Sequence, residues 1–186
     1  LRGDAALFDY TLKFDGVRIA SLEVTGEQIS HAYREVDAEV VAALKLAGGR
    51  IRSFHERQRD TISSKMAGEG LSQRLRPLER VGVYVPGGTA SYPSTVLMTV
   101  IPARVAGVKE VILATPPGPE GVVPPLTLAA AALAKADRIF AVGGAQAIAA
   151  LAFGTESVPR VDKICGPGNI FVVLAKKLVY GAVGID

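Results

Sequence analysis

The chain reads as an α/β protein: a parallel sheet with helices on both faces, preceded by a mainly helical segment. Three observations carry that prediction. From residue 81 onward, short apolar runs alternate four times with helix-forming stretches, the pattern of parallel strands joined by crossover helices. The strand runs (81–85, 108–115, 138–142 and 161–165) are largely apolar without polar–apolar alternation, as in strands covered on both faces. Three of the four strand-to-helix junctions carry glycines: Gly87-Gly88, Gly143-Gly144, and Gly166 with Gly168. In a parallel sheet these junctions fall along the edge formed by the carboxyl ends of the strands, where ligands bind and where glycine lets the backbone approach them.

In chain order, the first 22 residues are mixed, and Phe14-Asp15-Gly16-Val17 has turn chemistry with no catalytic pattern. Thr25 and Gln28 have capping-box spacing. Behind them Ile29, Tyr33, Val36, Val40, Leu44, Ala47, Ile51 and Phe54 recur in steps of three and four, one face of a long helix. Gly48-Gly49 inside the pattern predicts a kink or a split. His31 and His55 both lie on this helix, about 36 Å apart at about 1.5 Å per residue. They cannot share a metal ion unless the helix folds back, and each reads as a surface or cap residue. Residues 60–77 are mostly polar, contain Gly68 and Gly70, and read as a linker or hairpin.

The strand at 81–85 ends in Pro86-Gly87-Gly88, and a helix over 93–106 starts with Pro93, which suits a first-turn position. After the strand at 108–115 comes a surface loop, PPGPEG, then an alanine- and leucine-rich helix over 124–136. The stretch at 140–153, FAVGGAQAIAALAF, is central. An apolar run is broken by Gly143-Gly144, and a strong helix former follows over 145–153, interrupted only by Gln146. This puts free backbone N–H groups and one neutral amide at a helix N-terminus, where anionic groups settle. The plainer reading is a buried strand–helix corner in which Gln146 satisfies local backbone. The last unit is the strand at 161–165, the turn Gly166-Pro167-Gly168 and a helix over 169–179.

Bulk properties narrow the function. With 186 residues, 49% hydrophobic, 21% charged and 20 glycines, the chain is globular and amounts to one domain or one and a half. A net charge of +3 with scattered basic residues argues against nucleic acid as the main partner. No apolar run reaches a membrane span, and Arg104 and Lys135 interrupt the best candidates. Cys165 is the single cysteine, so no intrachain disulfide can form. With no charged-then-apolar leader in view, a reducing, cytoplasmic location is expected. Leu1 and Asp186, the latter just after an apolar Val-Gly-Ile, are expected to be cut ends rather than finished ones.

Glycine turns that open helices suit a phosphate-bearing nucleotide. The common fingerprints are nevertheless absent. Gly166 and Gly168 match the first two positions of G-x-G-x-x-G, but Phe171 occupies the third, and there is no G-x-x-x-x-G-K-[ST]. The polar residues at the junctions, Tyr84, Thr89, Ser91, Tyr92, Ser94, Gln146 and Asn169, are all uncharged. They can orient a ribose by hydrogen bonds and are poorly suited to acid–base work. Each has a plainer role: Tyr84 as a half-buried packing residue, Asn169 as a helix N-cap, Cys165 as an inert small hydrophobe. Asp162-Lys163 reads as a surface pair and His55-Glu56 as part of a solvated face.

The motifs themselves are long and particular. RVGVYVPGG at 80–88, YPSTVLM at 92–98, VGGAQAIAALAFGTESVP at 142–159 and VDKICGPGN at 161–169 resemble histidinol dehydrogenase. RGDAAL at 2–7 and FHERQ at 54–58 resemble the first domain of the same family. The resemblance implies an enzyme of histidine biosynthesis that oxidises L-histidinol to L-histidine through L-histidinaldehyde. Its course is a base-assisted hydride transfer, hydration of the aldehyde and a second hydride transfer, reducing two NAD. It also implies a zinc-dependent homodimer and an incomplete Rossmann-like domain, which accounts for the missing fingerprint. By motif, its NAD contacts fall on Tyr84, Gln146 and Asn169. Residues 1–83 would be the N-terminal part of a first domain, and 84–186 the Rossmann-like NAD-binding domain. The family's zinc ligands, its glutamate–histidine acid/base pair and its substrate-binding serine match nothing in this chain. No catalytic or metal-binding residue is therefore expected here, and these residues alone are expected to be inactive. Two other readings stand beside this one. The first is an aldehyde-dehydrogenase-like enzyme with Cys165 as nucleophile. The second is a non-catalytic nucleotide-binding module ending at Asp186.

Overall fold

The structure, a computed structural model, describes residues 2–64, 67–68, 71–72, 75–87 and 90–186. Its described elements are α1 Gly3–Asp15, α2 Gly26–Glu35, α3 Ala38–Ser64, a small hairpin of β1 Ala67–Gly68 and β2 Leu71–Ser72, β3 Arg80–Tyr84, α4 Pro93–Val105, β4 Glu110–Thr115, α5 Pro125–Ala134, β5 Arg138–Ala141, α6 Gly144–Phe153, β6 Lys163–Cys165, α7 Ile170–Val179 and β7 Gly184–Ile185. Among the described residues, β3 to β7 form one five-stranded sheet in the order β5-β4-β3-β6-β7, and every pairing is parallel. The chain enters at the centre, steps outward through β4 and β5, then crosses back to place β6 and β7 on the other side of β3. This doubly wound order reverses between β3 and β6.

The two-residue period of the strands sorts their side chains between two cores. Val81, Val83, Val111, Leu113 and Ile139 face one core together with α4 and α5. Tyr84, Ile112, Ala114, Phe140 and Ile164 face the other together with α6 and α7. The N-terminal helices add to both cores: Leu7 of α1 joins the α6–α7 side, and Ala32 of α2 and Leu44 of α3 join the α4–α5 side. The expected boundary between residues 83 and 84 falls inside β3.

Two family-like stretches far apart in sequence lock onto each other. The Asp4 N–H donates to Glu156 Oε2 at 2.7 Å. In return Ser157 Oγ donates to the Asp4 carboxylate at 2.5 Å, which is held below the usual carboxylate range because bonds from Ser157 and Thr155 outweigh the opposing effect of burial. Residues 22–24 cover the outer edge of β5 through Val24 N–H to Ile139 O at 2.8 Å and Ala141 N–H to Leu22 O at 2.7 Å, removing an open edge. Arg138 fixes this segment with two hydrogen bonds to Glu23, of 2.7 and 2.6 Å.

Several sequence expectations are corrected. The first 22 residues contain a helix, α1, ended by Gly16 at φ +73°. Its apolar residues scatter around the axis, with Tyr10, Leu12 and Phe14 exposed, so no stripe announces it. The long amphipathic pattern is two helices, broken at Val36 rather than at Gly48-Gly49. Val36 is extended at ψ 133°, and Asp37 Oδ1 accepts from the Glu39 N–H at 2.7 Å to start α3. The capping box of Thr25 and Gln28 is present at the start of α2. Gly48 stays inside α3, where a Cβ would lie 3.4 Å from Ile101 Cδ1, an ordinary van der Waals contact, so the glycine neither ends the helix nor is required by its packing on α4. Within 60–77, α3 runs on to Ser64 before the hairpin; Gly70 lies outside the described residues. The strand β7 has no counterpart in the sequence reading, because two residues are too few to make a pattern.

Candidate functional site

The carboxyl ends of β3, β4, β5 and β6 form one rim, and the glycine corners meet there. Gly87 after β3 and Gly143 after β5 both press on Pro116 after β4. A Cβ would lie 2.6 Å from Pro116 Cγ at the first and 2.5 Å from Pro116 Cβ at the second. Gly88 and Thr89, also expected at this rim, lie outside the described residues. Gly166 after β6 backs onto Tyr84: at φ +113° its missing Cβ would lie 2.1 Å from Tyr84 O. The Tyr84 hydroxyl in turn accepts a hydrogen bond from the Gly144 N–H at 3.0 Å, at the start of α6. Tyr84 therefore joins the α6 and α7 corners, one through its ring and one through its backbone.

Tyr84 is only 3% exposed, so most of it is core, as the plainer reading had it. Burial pushes its hydroxyl pKa up, the Gly144 N–H works against that, and the nearby Asp15 carboxylate adds to it. The hydroxyl is a neutral group that accepts from Gly144 and has its own proton to donate. Gln146 is half-buried in the first turn of α6. Its amide folds back over the turn, with Oε1 2.8 Å from the point a Gly144 Cβ would occupy. Asn169 is exposed and is the N-cap of α7, its Oδ1 accepting from the N–H groups of Phe171 and Val172, both at 3.1 Å. The cap uses the oxygen and leaves Nδ2 for another partner. The rim thus carries neutral donors and acceptors at the N-terminus of α6, which follows the edge strand β5, and at that of α7, which follows β6 beside the reversal of strand order. Such a place suits the phosphates and riboses of a dinucleotide.

Cys165, at the end of β6, is half-buried. Its thiol pKa is raised, first by burial and then by Asp186, so it is a poor nucleophile. Among the described residues no three His, Cys, Asp or Glu side chains converge on a point that could hold a metal ion. His31 lies 3.5 Å from Glu35 on α2, and His55 lies 3.0 Å from Gln58 on α3. The described residues do not fit a zinc ion. Two open grooves lie away from the rim. One of about 1350 Å³ runs between α2 and residues 120–125; one of about 920 Å³ opens at the amino ends of the strands around Arg80 and Arg160. Neither includes Tyr84, Gln146 or Asn169, and the rim owes its candidacy to topology and polar groups rather than to depth.

Sequence reasoning missed Asp15, exposed at the end of α1, whose carboxyl pKa is raised by partial desolvation. The only signal was the turn Phe14-Asp15-Gly16-Val17, which carries no chemistry until α1 is laid against α6. It also missed Lys176 and Asp186, ten residues apart and without periodic relation, which meet beside Gly166.

The family model for histidinol dehydrogenase matches residues 1–186. Histidinol dehydrogenase of Dehalococcoides mccartyi strain CBDB1 is 60% identical over 185 residues, covering 100% of this chain and 42% of that protein. That of Methanosarcina mazei is 54% identical over 189 residues, covering 100% of this chain and 44% of its own length. The crystal structure of histidinol dehydrogenase from Elizabethkingia anophelis superposes with a TM-score of 0.87 at 37% identity, over 98% of this chain and 43% of that one. The chain thus spans somewhat over two-fifths of the length of the relatives it matches. It belongs to the histidinol dehydrogenase family.

Proposed function

We propose that these residues hold NAD for a histidinol dehydrogenase that oxidises L-histidinol to L-histidine through L-histidinaldehyde by two hydride transfers. What supports the reading is that Tyr84, Gln146 and Asn169, all uncharged, lie at the carboxyl-end corners of the parallel sheet, in a chain matched by its family along its whole length. In this reading the Gln146 amide and Asn169 Nδ2 hydrogen-bond the riboses and pyrophosphate. The N-termini of α6 and α7 favour the phosphate charge. Tyr84 steadies the first turn of α6 through Gly144 and offers its hydroxyl proton to the ligand. NAD, when bound, supplies the hydride acceptor. In this reading the acid–base pair and the metal ligands are supplied by residues outside those described. The same reading makes the protein a cytoplasmic, zinc-requiring homodimer, with 1–83 contributing to a first domain and 84–186 forming the NAD-binding domain.

The test is reduction of NAD by the protein, in the length in which its source makes it, with L-histidinol and Zn²⁺. Histidinol-dependent NADH formation is expected, and none above background would overturn the assignment. Intact mass separates this from a stand-alone nucleotide-binding module: a mass near 19.4 kDa favours the module. The aldehyde-dehydrogenase-like alternative is separated by Cys165→Ser. Near-normal turnover is expected, whereas a nucleophilic role requires almost none.

A further inference from the structure

The reading of the rim as an NAD seat leaves one feature unused, the ion pair behind the α7 corner. The ladder between β6 and β3 ends at Cys165, and that between β6 and β7 ends at Ile164. Gly166 is the first residue past the ladder, at a φ of +113°. Both of its backbone groups are nonetheless held. Its N–H donates to Asp186 Oδ2 at 2.7 Å, and its carbonyl accepts from Lys176 Nζ at 2.5 Å. The same ammonium donates to Asp186 Oδ1 at 2.5 Å, and the Lys176 side chain is only 11% exposed. One charged pair therefore grips both ends of a single residue, with α7 supplying the cation and the end of β7 the anion. The peptide it holds opens the turn whose far end is Asn169, and its other face rests on Tyr84 O.

Resting on the dinucleotide reading above, we propose that Lys176 and Asp186 are positioning residues: they hold the Gly166–Asn169 corner in the one conformation that receives the dinucleotide. Neither need touch the ligand. Hydrogen bonds to charged partners are stronger than neutral ones, and here two of them replace the sheet ladder where it runs out. Without the pair, the Gly166 peptide is free to rotate away from its positive φ, and Gly168 and Asn169 move with it.

The test uses Lys176→Met, which keeps length and volume, and Asp186→Asn, which keeps an acceptor for the Gly166 N–H but removes the charge. Arg104→Met serves as a control at the opposite end of the sheet, where Arg104 is bound to Asp137 and to Lys135 O. Amide hydrogen exchange at Gly166, Gly168 and Asn169 and NAD affinity are measured on the naturally expressed protein. Lys176→Met is expected to raise exchange at the corner about tenfold and to weaken NAD binding by a similar factor, following the loss of a charge-assisted bond. Asp186→Asn should do the same to a lesser degree, and Arg104→Met should do neither. Unchanged exchange at Gly166, Gly168 and Asn169 overturns the proposal, as does a rise spread evenly along α7 and β7. A local rise with unchanged NAD affinity also overturns it. If the wild-type protein binds no NAD, the dinucleotide reading fails, and the exchange result alone decides whether the pair positions the corner.

Discussion

Replacing Gly166 by alanine tests the joint between the two halves of the sheet. Two costs arise, and a second glycine separates them. At φ +113° an alanine pays a dihedral penalty of about 1–3 kcal/mol. Its methyl group also lands 2.1 Å from Tyr84 O. A backbone carbonyl in a central strand cannot swing aside as a side chain can, so β6 must shift against β3, an overpacking cost of about 1–3 kcal/mol more. Gly181, in the turn between α7 and β7, has a comparable φ of +91° and nothing within 4 Å of its would-be Cβ. Gly181→Ala therefore pays the dihedral penalty alone. Urea unfolding of both variants, followed by circular dichroism at constant m, should show Gly166→Ala less stable than Gly181→Ala by about 1–3 kcal/mol. NAD affinity should fall in Gly166→Ala only. Equal losses in the two variants would refute the claim that the α7 corner is seated on the Tyr84 backbone.

Other expectations follow from the same geometry. Asn169→Ala should cost about 1 kcal/mol by removing the cap of α7. Asn169→Asp should keep wild-type stability, since it retains the acceptor and adds favourable charge at a helix N-terminus. Both should weaken NAD binding, and wild-type affinity in the aspartate variant would reduce Asn169 to a cap. Tyr84→Phe keeps the ring volume and strands the Gly144 N–H, so a loss of about 1 kcal/mol in urea unfolding is expected; no loss would mean water replaces the hydroxyl. The Glu23 carboxyl is held below its ordinary 4.5, chiefly by hydrogen bonds from Arg138. Its contribution is complete above pH 4.5 and is lost as the pH falls through the lower folded-state value. The pair is partly exposed, with Glu23 at 39%, which limits that contribution to under about 1 kcal/mol. The Tm gap between wild type and Glu23→Gln should narrow as the pH falls below 4.5. A gap independent of pH would show that the charge on Glu23 contributes nothing.

The fold class was legible because it depends on local alternation. Apolar runs and helix formers are written in consecutive residues, and a run covered on both faces cannot pass for a half-exposed strand. The helix α1 was not legible: its apolar residues do not share a face, and contacts at both ends hold it, Glu156 at Asp4 and Gly16 at its C-terminus. The break at Val36 was hidden because apolar spacing continued across it, and only backbone angles distinguish two helices from one. The corner glycines were legible as glycines, but their partners were not.

By itself the sequence determined the alternation of strands and helices, the family, and the uncharged character of the groups at the strand ends. Those properties follow from residue type and near-neighbour spacing, which need no knowledge of what lies across the sheet. Only the tertiary structure decided that Gly87 and Gly143 share Pro116, that Tyr84 joins the α6 and α7 corners, and that Lys176 and Asp186 close on Gly166. Each of these is a contact between residues brought together by strand order and register, and strand order is set by how the helices cover both faces of the sheet.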